Sequence, residues 1–271
     1  MTKRFLFLFT LYFIQSHSQT NTQQTIEDKT RQDAIIKEYV YDCADKIDYT
    51  IMMAEYQNCI DNGIKKDSTI AYLWQQKAMP YFKARKYEVG MQYVDKAVEY
   101  DRERWQSYRA FIKCIFAKTY QEAIIDFEDC KKRFGNSYVM DHTYDFYIGL
   151  CYLQLNEYDK AEKLLANYVN EMFKKNGESW VHPTALFYHG ISKYEQKKWE
   201  EAIIEFDRAL KNYPNFSDAK YYKAICLARL EKKEDVSKLF NEAKEDAKKG
   251  YTINEDNVIY ERYPYQIRWK D

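Results

Sequence analysis

Few residues of this chain could take part in covalent chemistry. Of the 4 histidines, His142, His182 and His189 lie beyond the first 18 residues. Pro183 is expected to start a helix directly after His182, so the spacing of His182 and His189 favours surface or turn histidines over a shared metal site. The chain holds no G-x-S-x-G, no H-E-x-x-H and no glycine-rich phosphate loop. We therefore expect no enzyme, no metal and no cofactor; the alternative is an enzyme whose residues meet only in the folded chain.

The elements that carry these residues follow from a pattern that recurs about every 34 residues. An aromatic residue is followed three positions later by a small residue, and four positions after that by an apolar one. The copies are Tyr87/Gly90/Val94, Tyr120/Ala123/Phe127, Tyr158/Ala161/Leu165 and Trp199/Ala202/Phe206. Small residues let two helices approach closely, and larger apolar residues fill the space between them. A period of this length is typical of a stacked array of helical hairpins.

These positions resemble the tetratricopeptide repeat motif. A repeat that starts at Ala71 has the motif's aromatic, small and apolar residues at Trp74, Ala78, Tyr81, Gly90, Val94 and Ala97. Four further repeats start at Trp105, His142, Pro183 and Ser217, so five repeats cover about residues 71–249. The resemblance implies an all-α fold, a right-handed superhelical solenoid of antiparallel helix hairpins. It also implies a protein that binds other proteins rather than a catalyst.

The N-terminal residues indicate export. Lys3 and Arg4 precede a ten-residue stretch, residues 5–14, that is mainly apolar and too short to span a bilayer, and small residues before Gln19 fit a cleavage site. Residues 1–18 are therefore expected to be a signal peptide, with a buried N-terminal helix as the alternative. The protein would then be periplasmic or extracellular.

The segments around the repeats differ in character. Residues 19–30 are polar and are expected to form a disordered linker. Residues 31–70 are expected to form a helical hairpin, either a degenerate repeat or a cap. The last stretch, 250–271, is crowded with aromatic residues and interrupted by Pro264. We expect it to cap the last repeat; the alternatives are that it folds back into the groove or is itself a docking segment.

Charge and hydropathy narrow the possible partners. Lys and Arg number 42, as do Asp and Glu, so the formal net charge is zero. That balance argues against nucleic acid as a partner, because such binding depends on neutralising phosphates with basic residues. No segment after residue 18 is long and apolar enough to predict an integral membrane span. The expected partner is another protein or a peptide; the oligomeric state is left open.

Export gives the six cysteines a possible structural role. Cys43 and Cys59 are 16 residues apart, as are Cys114 and Cys130. In an antiparallel hairpin the second pair would lie several turns out of register and should not bond. The first pair would lie roughly opposite each other if residues 31–70 form a hairpin, so a disulfide is the alternative there. We favour buried free cysteines for all six.

The resemblance also implies which residues bind a partner. In the family, set positions of each first helix line the concave face, and here most of them are apolar, which marks a binding surface. Arg109 and Lys113 would form a basic spot that orients a partner or holds one carboxylate; the alternative is a solvated pair. The curvature or the C-terminal tail could also bury the apolar stripe. The candidate residues are Met79, Phe82, Arg109, Lys113, Phe116, Phe146, Leu150, Leu153, Phe187, Ile191, Tyr194, Tyr221 and Ile225.

We therefore expect a non-catalytic interaction scaffold of the cell envelope, which binds a peptide or helix of a partner protein in its concave groove. The alternative is a specific neutralising binder of a toxin or enzyme. Either function would depend on burial of apolar surface rather than on chemistry.

Overall fold

The computed structural model describes residues 27–232 and 236–269. The predicted signal peptide and most of the predicted linker lie outside these residues. The chain divides into two compact units, one up to Arg102 and the other from Glu103. The predicted array of residues 71–249 is thus shared between the two units.

The first unit consists of helices joined by short turns. Its first helix, α1, is helical from residue 27 to 36, although the linker was expected to extend to residue 30. The elements after it are a π-helical turn Lys37–Tyr41, a 3-10 turn Ala44–Lys46, and the helices α2 (Met53–Lys66), α3 (Ala71–Lys83) and α4 (Tyr87–Tyr100).

The α3–α4 hairpin shows why the repeat pattern needs a small residue. A Cβ added at Gly90 of α4 would lie 2.6 Å from the ring of Phe82 on α3. Val94 and Ala97, further along α4, are fully buried. Glycine therefore lets the two helices approach, and the residues one and two turns later fill the seam.

A disulfide joins Cys43 and Cys59, with Cα atoms 5.9 Å apart. The preferred expectation of free cysteines is therefore wrong for this pair. The reason is that the turn after α1 does face α2, in the manner of a hairpin, and an apolar cluster that includes Val40, Ile60 and Leu73 packs around the bond. Cys114 and Cys130 are buried and free, as expected.

The second unit repeats the helical hairpin. In the last three hairpins of this unit the first helix packs against the second helix that follows it, and each second helix before the last packs against the first helix of the next hairpin. A two-stranded antiparallel ribbon is inserted between the first and second hairpins of this unit, with Val139 opposite His142. The elements are α5 (Arg102–Ile112) with a π-helical turn (Lys113–Ala117), α6 (Tyr120–Phe134), β1 (Tyr138–Val139), β2 (His142–Thr143), α7 (Tyr144–Gln154), α8 (Tyr158–Asn176), a 3-10 turn (Glu178–Trp180), α9 (Pro183–Glu195), α10 (Trp199–Asn212), α11 (Ser217–Arg229) and α12 (Val236–Lys248).

The seams of the second unit use the same chemistry as the α3–α4 hairpin. A Cβ at Gly190 of α9 would lie 2.6 Å from the ring of Phe206 on α10, and one at Gly149 of α7 would lie 2.9 Å from Leu165 on α8. The predicted all-α fold of antiparallel hairpins is confirmed. None of the helices within residues 27–232 and 236–269 is both long enough and apolar enough to cross a membrane.

The chain turns at Gly250, which has a φ of 85°, a value that favours glycine. Residues 251–269 then contain turns but neither helix nor strand. We call them the C-terminal segment.

Candidate partner-binding face

The C-terminal segment lies against the first helices of the second unit. We call the surface formed by α7, α9 and α11 the first-helix face. The backbone N–H of Ser217, at the start of α11, donates to the carbonyl of Tyr251 at 2.9 Å. Ile253 and Tyr263 of the segment are almost fully buried. The first-helix face therefore already holds a stretch of chain that forms turns but neither helix nor strand.

Two side chains of this face bind the backbone of the segment. The carboxylate of Asp218 accepts the backbone N–H of Ile253 at 3.0 Å through one oxygen and that of Ile267 at 2.7 Å through the other. The hydroxyl of Tyr188 donates to the carbonyl of Pro264 at 2.8 Å. Because backbone N–H and C=O groups occur in every peptide, these contacts do not depend on the side chains of the segment.

Aromatic rings supply the second part of the contact. The ring centroids of Tyr222 on α11 and Tyr265 in the segment are 6.1 Å apart. Trp269 packs edge-on against Tyr221 of α11 at 5.5 Å and against Phe240 of α12 at 5.4 Å. Such geometries add to the gain from burial alone. The segment is thus fixed by aromatic anchors and by its backbone.

Two buried acids of the segment pair with the repeats. Glu255 accepts from His142 at 3.1 Å, Nε2 to Oε1, and Glu261 pairs with Nζ of Lys118 at 2.8 Å. Both glutamates are less than one-tenth exposed. A buried carboxylate without a partner would be costly, so the pairing of Glu255 with the buried His142 favours one position of the segment.

The pKa values of two acids at this contact are shifted in opposite directions. Burial raises the pKa of Asp218 to about 6, although its two backbone N–H donors act the other way. Burial alone would also raise the pKa of Glu255, but the hydrogen bond and charge of His142 outweigh it and keep that pKa below its ordinary value. Protonation therefore affects the two ends of the contact differently.

Most of the predicted partner-binding residues are not exposed, which corrects the expectation of an open apolar stripe. Phe187 packs between the hairpins, with its ring 6.0 Å from Phe206 and 5.2 Å from Phe216. Phe146 stacks on His142 at 3.8 Å. Their side chains point into the helix seams. The buried members of the predicted set are Phe82, Phe116, Phe146, Leu150, Leu153, Phe187 and Ile191.

The two cations of the predicted basic spot are paired within the chain. Asp126 of α6 accepts from Arg109 through both oxygens, at 2.6 and 2.8 Å, and from Nζ of Lys113 at 2.9 Å. Burial would raise the pKa of Asp126, but the two cations lower it overall. Arg109 and Lys113 do hold one carboxylate, as considered above, but it belongs to the neighbouring helix.

The remaining predicted residues are half-buried. Met79 lies in α3 of the first unit. Tyr194 packs on Trp199 and on Tyr222, with ring centroids 5.4 and 5.1 Å away. Tyr221 contacts the C-terminal segment through Trp269, and Ile225 lines a pocket of about 310 Å³ between α11 and α12. Within the predicted set, Tyr221 therefore contacts the C-terminal segment.

The sequence reasoning missed the residues that bind the segment most directly. Tyr188 and Tyr222 follow the predicted Phe187 and Tyr221 by one position. Tyr147 follows Phe146 in the same way, but its ring packs against Phe111 and Phe127. Tyrosine at the same position of three successive repeats was a signal that could have identified this row. Asp218 carried no comparable signal, because an acid in the first turn of a helix is ordinary.

The expectation of surface or turn histidines is wrong for His142 and His189, which are buried. His142 and His182 face each other, with ring centroids 5.1 Å apart. Nδ1 of His189 lies 3.4 Å from Glu205, which also pairs with Arg208 at 2.6 Å. Forty residues separate His142 from His182 in sequence, so only the fold brings them together.

Comparison with known proteins agrees with this architecture. The family model of the tetratricopeptide repeat matches residues 144–171 and 184–215, which are the α7–α8 and α9–α10 hairpins. No curated protein matches the chain in sequence. Solved structures with the same fold include MamA (residues 41 to the end) of Desulfovibrio magneticus RS-1, with 14% identity, a TM-score of 0.55, and 66% of this chain and 96% of that chain covered.

Two further structures extend the fold comparison. The C-terminal part of a TPR repeat-containing protein from Cytophaga hutchinsonii has 17% identity and a TM-score of 0.55, with 79% of this chain and 80% of that chain covered. Yeast Tom70 has 20% identity and a TM-score of 0.53, with 73% of this chain and 41% of that chain covered. The chain is therefore a tetratricopeptide repeat protein in fold, and proteins of this class are generally interaction scaffolds rather than catalysts.

Proposed function

We propose that this protein is a non-catalytic scaffold of the cell envelope that binds an extended segment of a partner protein on its first-helix face, in place of its own C-terminal segment. The observation that carries the proposal is that Asp218 and Tyr188 form hydrogen bonds with backbone groups of the C-terminal segment. A partner with an extended backbone and suitably spaced aromatic side chains could make the same contacts.

The covered face sets a condition on the partner. The C-terminal segment belongs to the same chain, so its effective concentration at the face is of the order of millimolar. A partner must compete against the C-terminal segment. The apparent affinity of the partner is its intrinsic affinity multiplied by the fraction of molecules whose face is uncovered. The segment therefore limits binding to partners that fit the face better than it does.

Location in the envelope is supported by two features. The N-terminal residues have the pattern of a signal peptide. The Cys43–Cys59 bond is of a kind that persists in oxidising compartments and is rare in the cytosol.

Affinity capture from envelope extract tests the proposal with four baits. The first is the unaltered chain, and the second carries Tyr265→Ala and Trp269→Ala, which loosen the segment. The third adds Tyr221→Glu on the face itself. The fourth adds instead Ile204→Glu, a matched control, because Ile204 is exposed on α10 and is not among the contacts of the segment described above.

The loosened bait should capture more of the partner than the unaltered chain. Tyr221→Glu should remove that gain, and Ile204→Glu should not. A labelled peptide of residues 251–269 should bind the loosened bait and compete with the partner. Equal capture by all four baits would reject the proposed face. Capture of one toxin or enzyme whose activity is lost at one-to-one stoichiometry would identify a neutralising binder instead.

A further inference from the structure

Three side chains from distant parts of the second unit converge beside the first-helix face. His142 lies in β2, directly before α7, and His182 directly precedes α9. Glu255 belongs to the C-terminal segment. One donor atom from each lies within 4.8 Å of the other two. Oε1 of Glu255 is 3.1 Å from Nε2 of His142 and 3.8 Å from Nδ1 of His182.

This arrangement has the ligand types of a zinc site, with all three donor atoms within 4.8 Å of one another. Zinc in proteins is bound by histidine nitrogen and carboxylate oxygen at about 2.0–2.2 Å in tetrahedral geometry, so its ligand atoms lie roughly 3.3 Å apart. The two histidine-to-glutamate distances are on either side of that value. His182 is the more distant of the two histidines and its side chain is 38% exposed, so it is the ligand that would move to close the site.

The surroundings hold these side chains in position. Nδ1 of His142 is 3.1 Å from the hydroxyl of Tyr168, which leaves Nε2 directed at Glu255. Such outer partners orient the ligands in known metal sites. Nδ1 of His182 accepts a long bond, 3.3 Å, from the backbone N–H of Thr184, and a metal ion would replace that bond.

The other buried histidine–glutamate pair provides a contrast. Nδ1 of His189 lies near Glu205, but the guanidinium of Arg208 occupies the same oxygen at 2.6 Å. That carboxylate already has its cation. Glu255 instead faces His142 and His182, and a bound ion would supply a lasting positive charge there.

We propose that His142, His182 and Glu255 bind one Zn²⁺ ion, and that this ion fastens the C-terminal segment to the repeats. A water molecule would complete the coordination from the side of His182, the exposed member of the set. Since two ligands come from the repeats and one from the segment, zinc binding and docking of the segment must stabilise each other. The inference does not depend on the proposed partner.

Zinc binding can be measured on the full chain without a histidine tag, stripped with chelator and titrated with zinc chloride by calorimetry. Equilibrium dialysis with elemental analysis gives the stoichiometry. We expect one Zn²⁺ per chain, and affinity about 100-fold lower in His182→Gln and in Glu255→Gln. The matched control His189→Gln should bind as the unaltered chain does. Circular dichroism would verify that each variant folds; His182→Gln is the safest because its side chain is partly exposed.

Amide hydrogen exchange of residues 251–269, with and without zinc, tests the fastening. Zinc should slow exchange in the unaltered chain and in His189→Gln but not in His182→Gln. No stoichiometric binding, or equal affinity in His182→Gln and the unaltered chain, would overturn the site. Zinc binding that leaves exchange of the segment unchanged would overturn the claim that the ion fastens it.

Discussion

Two regions outside the repeat motif are held in place by different chemistry. In the first unit, the turn after α1 is joined to α2 by the Cys43–Cys59 disulfide and surrounded by an apolar cluster. In the second unit, the C-terminal segment has no regular secondary structure and is held by buried carboxylates, of which Asp218 and Glu255 make the most specific contacts. One region is fixed covalently and the other by reversible polar bonds.

The difference determines what can release each region. The disulfide constrains the unfolded chain and responds to reductant, but not to protons, salt or competing ligands. Hydrogen bonds to charged groups contribute about 1.5–3 kcal/mol each, and much of that is offset by the cost of burying the charge. The C-terminal segment can therefore detach under conditions that leave the first region intact, which the proposed function requires.

Removal of the disulfide should have the largest effect on stability. Cys43 and Cys59 enclose a loop with a sequence separation of 16 residues, and closing a loop of this size is worth about 3 kcal/mol. Cys43→Ser combined with Cys59→Ser should lower the free energy of unfolding of the first unit by that order. Reductant should destabilise the unaltered chain and not the double variant. Equal sensitivity of both to reductant would contradict the assignment.

Asp218→Asn should detach the C-terminal segment and leave the first unit unchanged. An amide group has one acceptor oxygen, so its NH₂ would face the backbone N–H of Ile253 or Ile267. The loss should be about 2 kcal/mol, seen as faster amide exchange at these two residues. The matched control Asp207→Asn replaces an exposed acid on α10 that pairs with Lys223. If the control has the same effect, the segment is not held by Asp218.

These two regions also show which features of the structure could be predicted from the sequence. Helix positions followed from the spacing of small and apolar residues, because a seam such as Gly190 against Phe206 accepts few alternatives. The same seams bury Phe146 and Phe187 of the predicted groove. Phe187 lies one position from Tyr188, which meets the C-terminal segment, and on a helix one position turns a side chain by about 100°.

Long-range polar contacts had no signal of this kind. The approach of Glu255 to His142 depends on the path of the C-terminal segment, which has no period and contacts several helices. The disulfide was an intermediate case. The spacing of its two cysteines was visible in the sequence, but the prediction of a bond depended on whether residues 31–70 form a hairpin. Local packing could be predicted, whereas contacts between distant parts of the chain required the structure.

A pH titration should distinguish Asp218 from the other groups. Its pKa in the folded chain, about 6, exceeds its ordinary value, so its contribution to stability is greatest at low pH and is lost as the pH rises through 6. Between pH 7 and 5 the unaltered chain should gain about 1 kcal/mol relative to Asp218→Asn. Burial lowers the pKa of His182, which acts in the opposite direction but equally in both chains. A constant difference across this range would contradict the assignment.

Lys118→Gln should have the smallest effect. Lys118 is 46% exposed while its partner Glu261 is nearly buried, so the pair lies at the edge of the contact and is partly screened by water. We expect a loss under about 1 kcal/mol that shrinks further in high salt, measured by denaturant unfolding. The matched control Lys248→Gln removes an exposed pair with Glu245 and should change almost nothing. A loss as large as that of Asp218→Asn would mean that the Lys118–Glu261 ion pair, rather than hydrogen bonds to the backbone, holds the C-terminal segment. The contrast with the disulfide-bonded region would then depend on ion pairing instead of peptide recognition.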